Sequence, residues 1–296
     1  MTNKKPHVNW LFLIIAGVGW GGSVSLTKIA AASGYHPLTL LFWQLVISIA
    51  ILLTWLAANH IRLPLSPAHL WFYVMAGILG TALPDGLAYF IAPHLPAGII
   101  AIVYALVPML TFALAVLFGC EKFEVLRFIG VGLGLMAILL LITPNFNLQT
   151  TASPVWILLL VLAGSCYAAE SIFAIFFMPA NDSPLTLLTG MTIAALSIIT
   201  PVMLATGIPF AVQNFLGKAE MALIASSFIH VACYATYLHL LRRTGAIFSS
   251  QVAYVVTLSG VLWGILIFSE THDFWTWTSL IMAITGLTLV RQRQES

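Results

Sequence analysis

Charge is what this chain lacks. Of its 296 residues only 7% are Asp, Glu, Lys or Arg, while 61% are hydrophobic; an average soluble domain carries roughly 25% charged residues. So few charges cannot cover a water-facing surface, which excludes an ordinary soluble fold of one or two domains. Cysteine is scarce too. Cys120, Cys166 and Cys233 lie far apart in apolar runs, which excludes a disulfide framework and a zinc site of paired cysteines; they read as small buried hydrophobes. The formal charge is +2 and no basic run is interleaved with aromatics, which removes nucleic acid as a partner. HExxH, GxSxG and P-loop patterns are missing, and no His or carboxylate pair has metal-ligand spacing on one helix. No catalytic residue, metal or cofactor is expected.

What is present is apolar length. A bilayer core about 30 Å thick takes about 20 apolar residues as a helix. Cutting at polar, Pro and Gly clusters leaves ten segments: Asn9–Ala32, Leu38–Ala58, Leu70–Ile91, Pro96–Phe118, Val125–Thr143, Pro154–Phe177, Pro184–Thr206, Ala219–Leu241, Ala246–Phe268 and Phe274–Val290. The start, with Lys4 and Lys5 before an apolar run, resembles a secretion signal. The run continues to about Ala32 with no small-residue cleavage site, so it is read as a retained first span. The expectation is an all-α polytopic membrane protein whose solvent is the lipid bilayer.

Orientation follows from Lys and Arg, which favour cytoplasmic loops. With a cytoplasmic N-terminus, Lys4, Lys5, Arg62, Lys122, Arg127, Arg242, Arg243, Arg291 and Arg293 all fall on the cytoplasmic side. Only Lys218 falls outside, and Lys28 lies within a span. Both termini are expected to be cytoplasmic.

The pentapeptide PLTLL occurs twice, at Pro37–Leu41 and Pro184–Leu188. It opens the second and the seventh span. Five spans separate the copies, an odd number, so the second copy enters the membrane from the opposite side. A second alignment lays Ala105–Glu121 on Tyr254–Glu270, two apolar helices that each end on Glu. It also lays Gly130 and Gly134 on Ser279 and Ala283, a small-xxx-small pair in each half. The chain is therefore expected to be two inverted five-helix repeats, residues 1–145 and 150–296, as in transporters that expose a central site to each side in turn.

Polar residues inside apolar spans are costly and point to function or to buried partners. Asp85, in LGTALPDGLAYF, sits either in a Pro-Asp-Gly turn or at a local helix break facing a cavity. On a helix Thr81, Asp85 and Tyr89 share one face. His230 and Tyr234 share a face in the eighth span, with Tyr237 close to it. The Glu-terminated alignment lays Thr81 on His230 and Asp85 on Tyr234, so the two polar faces correspond. Glu170 lies one helical turn after Tyr167; it reads as a proton carrier, a partner for an amine, or a structural carboxyl. The PLTLL alignment lays Trp20 on Tyr167 and Ser23 on Glu170, and the first span adds Thr27. Lys28 is read as snorkelling to the headgroups, the alternative being contact with an anionic substrate group or with Asp85. Pro108 frees a backbone carbonyl in the fourth span, near Tyr104. Glu121 and Glu270 read as structural groups near Lys or Arg.

With these residues in place the chain resembles an EamA-type member of the drug/metabolite transporter superfamily. The resemblance is carried by Trp20-Gly21 followed by Lys28 and HPLTLLFWQ, by Leu87–Leu141 with its mid-helix Pro and terminal Glu, and by a weaker echo in Ala246–Val290. Many relatives carry Arg where this chain has Gln44, and the second half has Thr257 in place of the helix Pro. The resemblance implies ten helices, a central cavity on spans one, three, four, six, eight and nine, and export of small metabolites such as amino acids from the inner membrane. On that reading Trp20, Asp85, Tyr89, Tyr104, Tyr167, Glu170, His230 and Tyr234 bind substrate. A membrane-embedded enzyme acting on a lipid-linked substrate and a passive channel stay open as alternatives, as does a homodimer.

Overall fold

A computed structural model of the protein describes residues 6–142, 154–212 and 216–290. The loop between the expected halves and the charges Lys4, Lys5, Arg291 and Arg293 lie outside the described residues. Among those described there are ten membrane helices and no strand. They are α1 (Pro6–Ala31), α2 (Pro37–Ala58), α3 (Pro67–Ile91), α4 (Ala97–Leu117), α5 (Val125–Ile142), α6 (Pro154–Phe177), α7 (Pro184–Thr206), α8 (Lys218–Ser250), α9 (Val252–Phe268) and α10 (Phe274–Val290). Eight are long and apolar enough to cross a bilayer, and α9 and α10 are shorter apolar helices. Their outer faces expose residues such as Leu126, Leu139, Leu158, Leu262 and Ile281, a surface suited to hydrocarbon.

The two PLTLL copies do the same local work. Each places Pro at the first helical turn of α2 or α7, where a missing N–H costs nothing. The residue before it caps the helix: His36 Nδ1 accepts from the Leu38 amide at 3.2 Å, and Ser183 Oγ from the Thr186 amide at 3.1 Å.

Two helices are broken by design of their prolines. In α3, Pro84 has no amide to offer the carbonyl one turn back, and the chain answers with a π-helical turn over Ile78–Ala82, the kind of irregularity that gathers at functional sites. The helix then resumes, so Asp85 sits on a helix rather than in a turn. In α4, Pro108 leaves the Tyr104 carbonyl without its helical donor, and the helix lapses at Ala105 and Leu106, whose amides bond Ile102 and Val103 instead. The boundary expected between spans eight and nine moves. Helical structure runs through the expected loop to Ser250, broken only at Gly245 (φ 81, ψ 171). That conformation suits a residue without a Cβ.

Small residues let α5 and α10 pack backbone to backbone. A Cβ on Gly286 of α10 would stand 2.6 Å from the Gly130 carbonyl oxygen of α5, and a Cβ on Gly130 would stand 2.6 Å from that of Gly286. Ser279 Oγ donates to the Ala137 carbonyl at 2.7 Å across the same seam. The expected small-residue pattern thus lies at this interface.

Gly286→Ala should therefore lower the midpoint of thermal unfolding in detergent by the equivalent of about 1–3 kcal/mol, the usual cost of overpacking. Gly132→Ala, where a Cβ meets nothing within 4 Å, should leave it unchanged or slightly raised.

Candidate functional site

The bundle encloses a central cavity of about 200 Å³. Trp20 of α1, Asp85 and Tyr89 of α3, Tyr104 of α4, Tyr167 and Glu170 of α6, and His230 and Tyr234 of α8 all line it. Eight residues chosen for their polarity or aromaticity in five separate spans meet in one place.

Asp85 is at the centre of the polar network and is buried. Tyr167 donates its hydroxyl to Asp85 Oδ1 at 2.7 Å, and Gln44 Nε2 donates to Oδ2 at 3.1 Å. His230 Nδ1 stands 4.0 Å from Oδ2. Tyr89 donates to the Gln44 side-chain oxygen. A carboxylate so furnished is fixed in direction, because each neighbouring donor leaves one less way for it to turn. Glu170 is held differently. Its Oε1 is buried with no hydrogen-bond partner, and the Tyr234 hydroxyl lies nearby against Gly80.

Aromatic rings form most of the remaining wall. Trp20 lies 6.2 Å from Tyr234 and 5.7 Å from Tyr237, centroid to centroid, and Tyr104 meets Tyr167 edge-on at 6.0 Å. Ser23 and Thr27 of α1, and Tyr237 of α8, also face the cavity. Gly80 in the π-turn brings α3 against this wall: a Cβ there would stand 2.5 Å from the Tyr234 hydroxyl and 2.9 Å from Glu170 Cγ.

Three sequence expectations need correction. Thr81 is buried but does not line the cavity, because the extra residue in the π-turn rotates it off the face that carries Asp85 and Tyr89. Lys28 does not snorkel to the headgroups. Its Nζ bonds Glu270 Oε1 at 3.1 Å and the Leu95 carbonyl at 2.9 Å, over the Phe268 ring at 5.1 Å. Gln44 was noted only as a departure from relatives, yet it ties Asp85 to Tyr89. A neutral amide in mid-span carries no charge to flag it, and only a search for every buried side-chain amide would have found it.

The Glu270 carboxylate does more than pair with Lys28. Its oxygens accept from the Ala97 and Gly98 amides at 2.7 and 3.0 Å, which caps the N-terminus of α4 with a negative charge. Lys28, the α3–α4 connection and the end of α9 are joined in one clasp at that end of the bundle. The corresponding Glu121 lies 3.4 Å from Arg127, which also meets Glu124 at 3.1 Å. Among the described residues no group of three His, Cys, Asp or Glu side chains could hold a metal ion. The three cysteines are free, Cys233 buried and the others partly so.

Comparison with known proteins fits this architecture. The family model described as EamA-like transporter family matches residues 9–143 and again 154–292. The chain belongs to the EamA-like transporter family. It is thus a membrane transporter of the drug/metabolite superfamily, and the family is one of transporters rather than enzymes. The "Uncharacterized inner membrane transporter YedA" of Escherichia coli (strain K12) is 27% identical over 286 residues, covering 92% of this chain and 86% of that protein. Its counterpart in Escherichia coli O157:H7 matches to the same extent. A solved structure described as "Crystal structure of protein" superimposes with a TM-score of 0.66 at 15% identity, covering 96% of this chain and 97% of the other. At that identity the likeness carries the fold.

Gly80→Ala should push Tyr234 away from Glu170 and cut transport at least tenfold, while Gly86→Ala, whose Cβ would meet only Leu41 at 3.5 Å, should keep more than half of it. Flux into vesicles, normalised to the amount of folded protein, reads the difference.

Proposed function

We propose that the protein is a secondary transporter of the inner membrane that exports a small metabolite of amino-acid size by alternating access. The observation that supports this most directly is the convergence of Asp85, Glu170, His230 and their aromatic neighbours on one cavity within the membrane helices. Polar groups so placed are costly in lipid unless they serve a solute. The two halves, residues 1–145 and 150–296, act as inverted repeats, and the cavity between them opens first to one side and then to the other. The doubled family match is in keeping with this division.

Alternating access needs a gate. The Lys28–Glu270 clasp draws α1, α4 and α9 together at the end of the cavity where Thr27, Ala92 and Ile100 line it. With both termini cytoplasmic, that end faces outward, and the conformation described is the one closed to the exterior. Opening outward then costs the ion pair and the capped amides. Substrate binding must offset that cost for the outward-open state to form.

Purified protein in liposomes should show saturable flux of a solute recovered unchanged; a chemically converted product would overturn the reading in favour of an enzyme. Asp85→Ala and Glu170→Ala should each reduce flux with membrane levels near normal, and loss of the folded protein would make the two carboxyls structural instead. Tags on both termini should be reachable only from the cytoplasm. In a background with the three native cysteines replaced, Ile100→Cys should react faster with a membrane-impermeant thiol reagent from outside when Glu270→Gln is added; an unchanged rate would remove the clasp from gating.

A further inference from the structure

The proposed transport site carries an uneven chemistry that bears on what it accepts. Among the described residues that line the cavity there are two carboxyl groups, Asp85 and Glu170, and neither lysine nor arginine. Lys28, the cation nearest in sequence to the α1 wall, is engaged by Glu270 and does not line it. An anionic solute, or the carboxylate of a zwitterion, would therefore find no fixed positive partner except His230. That imidazole already faces Asp85 at 4.0 Å, so any charge it carries is matched within the protein.

The two carboxyls are not equivalent. Asp85 accepts from Tyr167 and Gln44 and has His230 beside it. Its demand for donors is met by the protein. Glu170 is 3% exposed, lines the cavity and keeps Oε1 unpartnered. A buried acceptor left open in this way costs about 1–3 kcal/mol, more if charged. A donor arriving beside Glu170 and met by a turn of its carboxyl group removes that cost, and a positively charged donor removes the most. The surroundings suit one: Trp20, Tyr234 and Tyr237 cluster with centroids 5.7–6.3 Å apart on the same wall, and aromatic faces attract cations, more strongly when water is excluded.

We infer that the substrate is an organic cation, a small amine whose ammonium group docks on Glu170 within the aromatic wall of Trp20, Tyr234 and Tyr237 and which carries no carboxylate of its own. This rests on the transporter reading and narrows it from metabolites of amino-acid size to amines. The apolar part of the amine lies along Tyr104, Val107 and Val256, which complete the cavity. Asp85, with its donors supplied internally, orients Tyr167 and Gln44 and does not contact the ammonium.

The test varies charge at nearly constant shape. Purified full-length protein is titrated with phenethylamine (cation), phenylalanine (zwitterion), 3-phenylpropionate (anion) and 2-phenylethanol (neutral), with binding read as a rise in unfolding temperature. The cation should bind at least tenfold more tightly than each of the others, and Glu170→Gln should abolish that preference while 2-phenylethanol binding stays within threefold. Equal or tighter binding of the zwitterion or the anion overturns the inference, as does a cation preference that survives in Glu170→Gln. Should Glu170→Gln not fold, Trp20→Leu takes its place, with a loss of at least fivefold in cation affinity expected and an unchanged affinity counting against the inference. Flux in liposomes separates the two levels: transport of phenylalanine without phenethylamine sinks the amine assignment and leaves the transporter reading intact, whereas tight amine binding without flux of any of the four does the reverse.

Discussion

Hydrocarbon supplies no hydrogen bonds, and most of this structure is arranged around that fact. A backbone or side-chain polar group inside the bilayer must find its partner within the protein. The ten helices satisfy the backbone. The serines and threonines on them follow the same rule by bonding the carbonyl one turn back, as Thr192 does to Leu188 and Ser171 to Tyr167. Two ionisable groups are met from other helices, Lys28 by Glu270 and Asp85 by Tyr167 and Gln44, while Arg127 is met at the start of its own helix by Glu121 and Glu124. These long-range bonds decide which helices are neighbours as firmly as the apolar packing does.

The same rule separates structural charges from the polar groups of the cavity. Glu270 uses both oxygens on protein donors. Glu170, on the cavity wall, leaves one unused. Glu270 closes the end of α9, whereas Glu170 sits within α6. Proline and glycine then shape the space between. Pro84 and Pro108 interrupt α3 and α4 beside the cavity, and Gly80 lets α3 stand against Tyr234 and Glu170 without a side chain in the way.

Much of this was legible in the sequence, and the limits have physical causes. Span count follows from bilayer thickness and the scarcity of charge, so the helices were found to within a few residues except at the boundary between the eighth and ninth. The cavity residues were found because a polar side chain in an apolar run announces itself. What failed depended on geometry that no local pattern carries. The π-turn adds one residue to a helix, and a fixed helical period therefore misplaces Thr81. The partner of Lys28 sits at the other end of the chain, so only the folded structure could show that the ammonium is held rather than released to the headgroups. Residues 242–245 were expected to connect the eighth and ninth spans, whereas helical structure continues on both sides of Gly245 because one glycine absorbs the change of direction. Gln44 passed as a family difference because an amide carries no charge.

The clasp around Glu270 is also tightly enclosed. A methyl group on Gly264 would stand 2.6 Å from one of its carboxylate oxygens, and one on Gly98 would stand 2.7 Å from His272. The carboxylate thus fits only because two helices present bare backbone to it. Drift at either glycine, far from the solute path and invisible to any inspection of the cavity, would evict the acid, strand the lysine in lipid and unfasten three helices at once. Tolerance to inherited variation is therefore narrow at two positions that do not line the cavity.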